Sequence, residues 1–334
     1  MRAGDDDLVI RDADAVDRAL LELLAGEART EEELAALLPV ERAALRDKLA
    51  ALDRVDVLAA GAETPLAPEL GARQARQLPY LAELGDPGAL QRRLCAAHVV
   101  ALGCGGLGTW TIAALACAGV RRFTVVDDDA VELSNLNRQI LYGVADLGTP
   151  KVEATARWLA GLDPEIDVTP RRARIDGRDA LDDLVAGADV VVLAADQPPF
   201  EIARWTSDAC FAAGVPFATA GQLPPVLKVG PLYVPGATGC FRCHEQGLRD
   251  GGSLYDAYVA RARTAPGRGA TLGPTSGVVG AMLAMELVHF LCGRAPAILG
   301  AALIVDVRGY AVRREKIERD ATCPICVNRS TARR

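Results

Sequence analysis

The sequence predicts an α/β protein with a mostly parallel sheet and flanking helices, and three observations predict it. Short apolar strands alternate with helices from Ala97 onward, the pattern of parallel strands joined by helical crossovers. A glycine-rich turn, Gly103-Cys104-Gly105-Gly106-Leu107-Gly108, separates the first of these strands from the helix that follows. Two Cys-x-x-Cys pairs, Cys240/Cys243 and Cys323/Cys326, stand far apart in the C-terminal third.

A chain of 334 residues has room for one large domain and a small one. No uncharged apolar run of about 18 residues is present and the N-terminus is acidic, so neither a signal peptide nor a membrane span is expected, and the cytoplasm is the expected compartment. The net charge of −7 argues against nucleic acid as a partner. Nine cysteines, an odd number, do not make a complete disulfide framework. Only His98, His244 and His289 are available as histidine bases.

In chain order, residues 8–60 read as three helices with a β finish. Val16, Ala19, Leu20, Leu23 and Leu24 fall at helical spacing, Thr30 with Glu33 forms a capping box, and a third helix runs from about Val40 to Leu52. With the apolar Val55–Leu58 stretch this makes a winged-helix-like domain over residues 1–62. Residues 1–65 hold 16 acidic and 8 basic side chains, the wrong sign for DNA, so a peptide- or protein-contact role is expected instead. Residues 62–72 read as a linker. Arg73-Gln74-Ala75-Arg76-Gln77 then opens a helical stretch, followed by a turn at Gly85–Gly88 and a helix to about Leu94.

The third region, residues 97–334, carries strands at His98–Leu102, Arg122–Val126, Val168–Ile175 and Val190–Ala194. Helices are expected at Thr109–Ala118, Val152–Leu162 and Glu201–Ala213, and residues 245–275 read as a flexible crossover loop. Gly103, Gly105 and Gly108 fit G-x-G-x-x-G between strand and helix, a Rossmann-like setting in which no Cβ keeps a phosphate from the amides. Asp127, at the end of the second strand, is placed to accept hydrogen bonds from ribose hydroxyls. To this point a nicotinamide dinucleotide fits as well as a triphosphate.

The run Asp127-Asp128-Asp129-Ala130-Val131-Glu132-Leu133-Ser134-Asn135-Leu136-Asn137-Arg138-Gln139 departs from a dehydrogenase crossover. Lys151, one of four lysines, follows Arg138 by 13 residues. In-line attack on a triphosphate, with about four negative charges, needs fixed cations, which Arg138 and Lys151 supply. Asp196 lies just past the Val190–Ala194 strand, where open α/β sheets place ligand-contacting groups, and its carboxylate can hold Mg²⁺ against phosphates.

The glycine loop, the Asp-x-Asp-x-Val-Glu-x-Ser-Asn-Leu-Asn-Arg-Gln run, Lys151 and Asp196 together resemble the ThiF family of adenylyltransferases, related to ubiquitin-activating enzymes, from about Arg73 to Cys326. The resemblance implies an ATP-dependent enzyme that converts the C-terminal carboxylate of a peptide or small protein to an acyl-adenylate and releases pyrophosphate. It places ribose on Asp127, phosphates on Asn135, Arg138 and Lys151, and Mg²⁺ on Asp196. The wider set of expected nucleotide contacts adds Gly103, Gly105, Gly106, Gly108, Asp129, Ser134, Asn137 and Gln197. The family's Arg-Tyr-x-Arg-Gln signature corresponds to Arg73-Gln74-Ala75-Arg76-Gln77, which makes Arg76 a finger reaching the partner subunit's ATP. It also implies a homodimer, with residues 63–96 as linker and dimerisation segment. Gln74 stands where the family has tyrosine, and Gln197 where asparagine is common.

Four cysteines in two Cys-x-x-Cys pairs suit a closed structural Zn²⁺ site, Cys240, Cys243, Cys323 and Cys326, and the family carries the same clasp. His244 is expected to be a neighbour of that site. Residues 245–275 contain no cysteine, so adenylation without an enzyme thioester is expected. The N-terminal addition resembles that of microcin-type adenylating enzymes and favours a leader-type peptide in peptide natural-product biosynthesis. The rival substrate is a sulfur-carrier protein for cofactor or thio-metabolite biosynthesis. An NAD-dependent oxidoreductase, a non-catalytic scaffold and a transcription factor fit less of the sequence.

Overall fold

The structure, a computed structural model, describes residues 13–26, 29–54, 66–252, 255–264 and 271–327. The chain divides into two compact units, Met1–Arg92 and Arg93–Arg334.

The first unit opens with three helices, α1 (Ala15–Ala25), α2 (Glu31–Leu37) and α3 (Arg42–Arg54). Asp14 and Thr30 each close a capping box, satisfying amides that the first helical turn cannot. Leu20, Leu34, Leu38, Leu45 and Leu52 form one buried cluster, and Lys48 pairs with Asp17 at 2.6 Å and Asp14 at 3.1 Å. The expected β finish at Val55–Leu58 lies outside the described residues. The linker expected at 62–72 is corrected in part: α4 spans Pro68–Gln74, started by proline at its first position. The helix expected to open at Arg73 instead ends there, and Ala75–Gln77 is a turn before α5 (Leu78–Ala82). Pro87 and Gly88, expected in a turn, begin α6 (Pro87–Ala96).

The second unit is an eight-stranded sheet. Its elements after α6 are β1 (His98–Leu102), α7 (Gly106–Cys117), β2 (Arg122–Val126), α8 (Lys151–Leu162), β3 (Asp167–Arg171), α9 (Asp179–Val185), β4 (Val190–Leu193) and α10 (Glu201–Ala213). Then come β5 (Phe217–Leu223), β6 (Val226–Tyr233), α11 (Phe241–Asp250), α12 (Tyr255–Thr264), α13 (Gly273–Leu291), β7 (Ala301–Asp306), β8 (Ala311–Lys316) and α14 (Pro324–Val327). The strand order is β3-β2-β1-β4-β5-β6-β7-β8. The first five strands are parallel, and β5 to β8 pair antiparallel. The strand expected over Val168–Ile175 ends at Arg171. Residues expected to form a crossover loop are helical over α11 and α12, which corrects that expectation; 253–254 and 265–270 lie outside the described residues.

β1 and β4 bury all or nearly all of their residues because helices cover both faces of a parallel sheet. One described helix, α13, is long and apolar enough to cross a membrane. It packs on α7, β5 and β6, and its Glu286 carboxylate accepts the Ile298 amide at 3.1 Å. Close approach of α13 and α7 depends on Gly280, where a Cβ would sit 2.5 Å from Cβ of Trp110.

Candidate functional site

The strand order reverses direction between β1 and β4, and in open α/β sheets that switch point opens a crevice at the strands' C-terminal ends. Ala194 and Ala195 both donate their amides to the Leu102 carbonyl at 2.8 Å, tying the two strand ends together. Gly103 lies there with φ +99°, and a Cβ would fall 2.6 Å from the Ala195 nitrogen, so only glycine fits. Gly108 sits under the turn, where a Cβ would overlap the Gly103 carbonyl oxygen. The helix after the turn begins at Gly106, earlier than the expected Thr109. Its first amides have no intrahelical acceptor and head a 12-residue helix, the arrangement that binds phosphate.

A cleft of about 800 Å³ opens at this point, within the roughly 300–1,000 Å³ range of small-molecule sites. Gly103, Gly105 and Gly106 line it, with Asp127, Asp129, Ser134, Asn135, Arg138, Lys151, Asp196 and Gln197. Among the expected nucleotide contacts, Gly108 and Asn137 are not on its walls. Gly108 shapes the turn, and the Asn137 Oδ1 accepts from Arg138 Nη1 at 3.1 Å. Arg76 is exposed in the turn after α4, in the other unit.

Asp127 binds the turn with both oxygens, accepting the Cys104 amide at 2.7 Å and the Asp129 amide at 2.9 Å. Burial raises its carboxyl above the ordinary range, and the Lys151 ammonium opposes that shift. Lys151 is the first residue of α8, only 5% exposed, and its Nζ meets Asp129 Oδ2 at 2.7 Å. Arg138 donates to the Ser134 carbonyl at 2.9 Å, and its backbone carbonyl accepts the Trp110 indole at 3.1 Å. Its stem lies 3.3 Å from where a Gly106 Cβ would be. Two cations are thus fixed beside the helix N-terminus before any ligand enters.

Asp196 is exposed and has no hydrogen bond or ion pair among the described residues. Metal-suited carboxylates also meet at Asp127, Asp128 and Asp129, although Asp129 is already held by Lys151. Sequence reasoning passed over four residues on the cleft wall: Gln139, Arg174, Gln222 and Thr271. Gln139 stands inside the motif run, so position pointed to it. Gln222 and Thr271 come from β5 and the start of α13's approach, with Gln222 Nε2 donating to Thr271 Oγ1 at 2.6 Å, and nothing local marks them.

The second cluster is closed. Cys240 and Cys243 bracket the start of α11, and Cys323 immediately precedes α14 while Cys326 lies within it. All four are buried, with sulfur separations of 3.8 Å (Cys240–Cys243), 3.5 Å (Cys240–Cys323) and 3.6 Å (Cys243–Cys326). A tetrahedron of thiolates about 2.3 Å from zinc has edges of about 3.8 Å, so the cluster is compatible with zinc. Hydrogen bonding from Cys240 lowers the Cys326 thiol below the ordinary thiol range, and the Asp320 amide points at Cys243 Sγ, 3.4 Å away. His244 turns instead to the Tyr233 hydroxyl, 2.7 Å from Nδ1.

A model of the ThiF family matches residues 74–325. The "SAMP-activating enzyme E1" of Haloferax volcanii is 33% identical over 250 residues, covering 73% of this chain and 84% of that protein. "Adenylyltransferase and sulfurtransferase MOCS3" of Sus scrofa is 34% identical over 313 residues, 93% of this chain but 65% of that longer protein. Among solved structures, Escherichia coli MccB with ATP superposes with a TM-score of 0.74 at 26% identity, covering 89% of this chain and 85% of that one. MccB has also been solved with AMPCPP and MccA, at a TM-score of 0.73 and 25% identity, with the same coverage of both chains. The turn, the fixed cations and three of the four clustered cysteines (Cys240, Cys243 and Cys323) fall within the matched region, and the chain belongs to the ThiF family and is an adenylyltransferase.

Proposed function

We propose that this chain uses ATP to activate the C-terminal carboxylate of a peptide, a leader-type substrate in peptide natural-product biosynthesis. The carboxylate oxygen attacks the α-phosphorus, the bond from that phosphorus to the bridging oxygen breaks, and pyrophosphate leaves with the electron pair. The observation that carries this reading is the pairing of Arg138 and Lys151 with the open N-terminus of α7 at the sheet's switch point. Fixed cations stabilise charge that develops on the phosphates without reorganising during the reaction.

In this reading Asp127 takes the ribose, Asn135, Arg138 and Lys151 the phosphates, with Ser134, Asn137 and Gln197 nearby, and Asp196 holds Mg²⁺. Zn²⁺ in the cysteine clasp is structural. Arg76 reaches the nucleotide of a second copy in a homodimer. The apolar surface of the second unit supports a dimer: Leu133, Val144, Leu272 and Met285 are 71%, 71%, 59% and 47% exposed. With no cysteine between 245 and 275, the adenylate passes to an outside nucleophile without an enzyme thioester. The enzyme works in the cytoplasm on soluble partners. The helical module α1–α3, with its own buried cluster, supports a peptide-contact role for the N-terminal region.

A carrier-protein substrate is the second reading, favoured by the 33% identity to the SAMP-activating enzyme. ATP–pyrophosphate exchange with a candidate peptide and a Gly-Gly-ended carrier separates the two. Exchange that requires the carrier and ignores peptides sinks the peptide reading, and exchange with neither sinks both.

A further inference from the structure

Lys228 is a cation that the phosphate site leaves unused, and strand register sets it beside the nucleotide cleft. On β6 it stands directly opposite Gly221 of β5, and residues paired in this way share a face, with their Cβ positions about 5 Å apart. The adjoining pair, Gln222 and Leu227, faces α13, because Gln222 Nε2 donates to Ser276 Oγ at 3.0 Å and Gln222 Oε1 accepts from Thr275 Oγ1 at 2.8 Å. Side chains alternate along a strand, so Gly221 and Lys228 face away from α13 and from α7, which packs on it. Gly221 lines the cleft, and a Cβ built there would meet nothing within 4 Å. The bare glycine therefore leaves open space on the Lys228 side of the sheet, joined to the cleft.

Lys228 is partly buried, and its ammonium has no hydrogen bond or ion pair among the described residues. It is not sealed in: among the described residues the one fully buried side-chain nitrogen or oxygen without a partner is Gln139 Oε1. Glu315, the carboxylate whose charge acts on Lys228, already holds Arg313 at 2.8 Å. His244, on which the Lys228 charge acts in turn, is bonded to the Tyr233 hydroxyl. Burial lowers the ammonium to about 8 against the pull of Glu315, which leaves it charged at pH 7. A partly desolvated cation without a partner destabilises the free chain, and an anionic ligand offsets that loss. In the adenylation reading the triphosphate goes elsewhere, to Arg138, Lys151 and the first amides of α7. The carboxylate under activation must lie against the α-phosphate. What remains is the acyl chain behind that carboxylate, which has to leave the cleft.

Resting on the adenylation reading of the same cleft, we infer that the acyl peptide leaves over Gly221 and that Lys228 binds an acidic side chain, aspartate or glutamate, just before its C-terminus. Lys228 is thereby a specificity residue for peptides with acidic ends. A glutamine in place of that acid brings only a neutral hydrogen bond, the weaker kind.

The test uses two non-hydrolysable adenylates, acetyl-Glu-Glu-Glu-Gly-sulfamoyl-adenosine and acetyl-Gln-Gln-Gln-Gly-sulfamoyl-adenosine. The three side chains sample about 10 Å of extended chain behind the activated residue, so the outcome does not hang on register. Titration calorimetry of the full chain at pH 7 is expected to show the glutamate probe binding about tenfold more tightly than the glutamine probe. In Lys228→Met that preference should fall below about threefold, while the glutamine probe binds as it does to wild type. Lys228→Arg, which keeps a cation on the strand, should keep the preference. An equal preference in wild type and Lys228→Met overturns the inference, as does the absence of any preference in the wild type. A tenfold loss of the glutamine probe in Lys228→Met also overturns it, because the side chain would then shape the path and not read charge. If neither probe binds wild type more tightly than AMP, the adenylation reading fails and takes this inference with it.

Discussion

The cysteine clasp and the nucleotide cleft are both rich in polar groups, and both hold ion pairs, yet among the described residues only the cleft also keeps polar groups with no protein partner. Beside the clasp, Arg204 pairs with Glu245 at 2.7 Å and Arg242 with Asp208 at 2.5 Å, while Tyr255 donates to Glu245 at 2.8 Å. Phe241 gives its amide to the buried Ser207 hydroxyl at 3.2 Å. In the cleft, Asp196 and Arg174 have no partner among the described residues, and Gln139 Oε1 has none. Polar groups satisfied within the chain hold the fold; groups left over are kept for a ligand. The clasp is a fastening and the cleft a site.

That contrast is broken most sharply at the clasp. Cys323→Ser removes one member of a buried, closely spaced set, and is expected to cost roughly 3–5 kcal/mol, as breaking a buried charge arrangement does. Differential scanning calorimetry should show a fall in Tm on the order of 10 °C. A strong zinc chelator applied to the wild-type chain should lower Tm in the same direction. An unchanged Tm in both cases would mean that the clasp does not fasten the fold.

The cleft should answer in activity instead. Lys151→Ala is expected to lower kcat/KM for pyrophosphate exchange by roughly 10²–10³-fold, the scale of losing one preorganised charge partner. Its far-ultraviolet circular dichroism should match the wild type. Full activity in this variant would remove Lys151 from the phosphate site.

A smaller effect separates the two regions by pH. Burial lowers the His244 imidazole from about 6.5 to about 3, so the folded chain holds it neutral while the unfolded chain protonates it. The unfolded state therefore binds more protons below pH 6.5, and stability falls with falling pH until about pH 3, by at most about 1.4 kcal/mol per pH unit. His244→Gln, which keeps an acceptor for Tyr233, should flatten the slope of Tm against pH between 6.5 and 4. Identical slopes would show that the folded and unfolded chains protonate His244 alike.

The smallest effect probes an ion pair that belongs to both descriptions. Asp129 holds Lys151 in the free protein, with the lysine side chain 7% exposed and the aspartate 65%. Asp129→Asn should cost up to about 1 kcal/mol without nucleotide, given the aspartate's exposure. ATP should restore most of that loss, so the nucleotide-induced rise in Tm should exceed the wild-type rise.

Much of the parallel half is legible in the sequence. β1, β2 and α10 fall on the expected residues, because buried parallel strands are continuous apolar runs and the glycines around them mark turns. The antiparallel half, β5 to β8, is not legible in the sequence. Its β8 residues are all exposed and give no apolar alternation. The end of α11 and all of α12 carry polar, arginine- and glycine-rich sequence that reads locally as loop. Even so, Tyr255 of α12 reaches the buried Glu245 of α11, a contact invisible to local pattern.

The sequence by itself determined the chemistry available: the glycine turn, two cations at fixed spacing, and four thiols in two pairs. Each is a local pattern, and local backbone geometry imposes it wherever the chain goes. Only the tertiary structure decided which of these groups meet. Sheet order placed Ala195 against Gly103, and chain closure brought Cys323 within 3.5 Å of Cys240 across 83 residues. It also buried Lys151 against Asp129 and left Gln139 without a donor. Partnership depends on distance in space, and residues far apart in sequence carry no record of it until the core has packed.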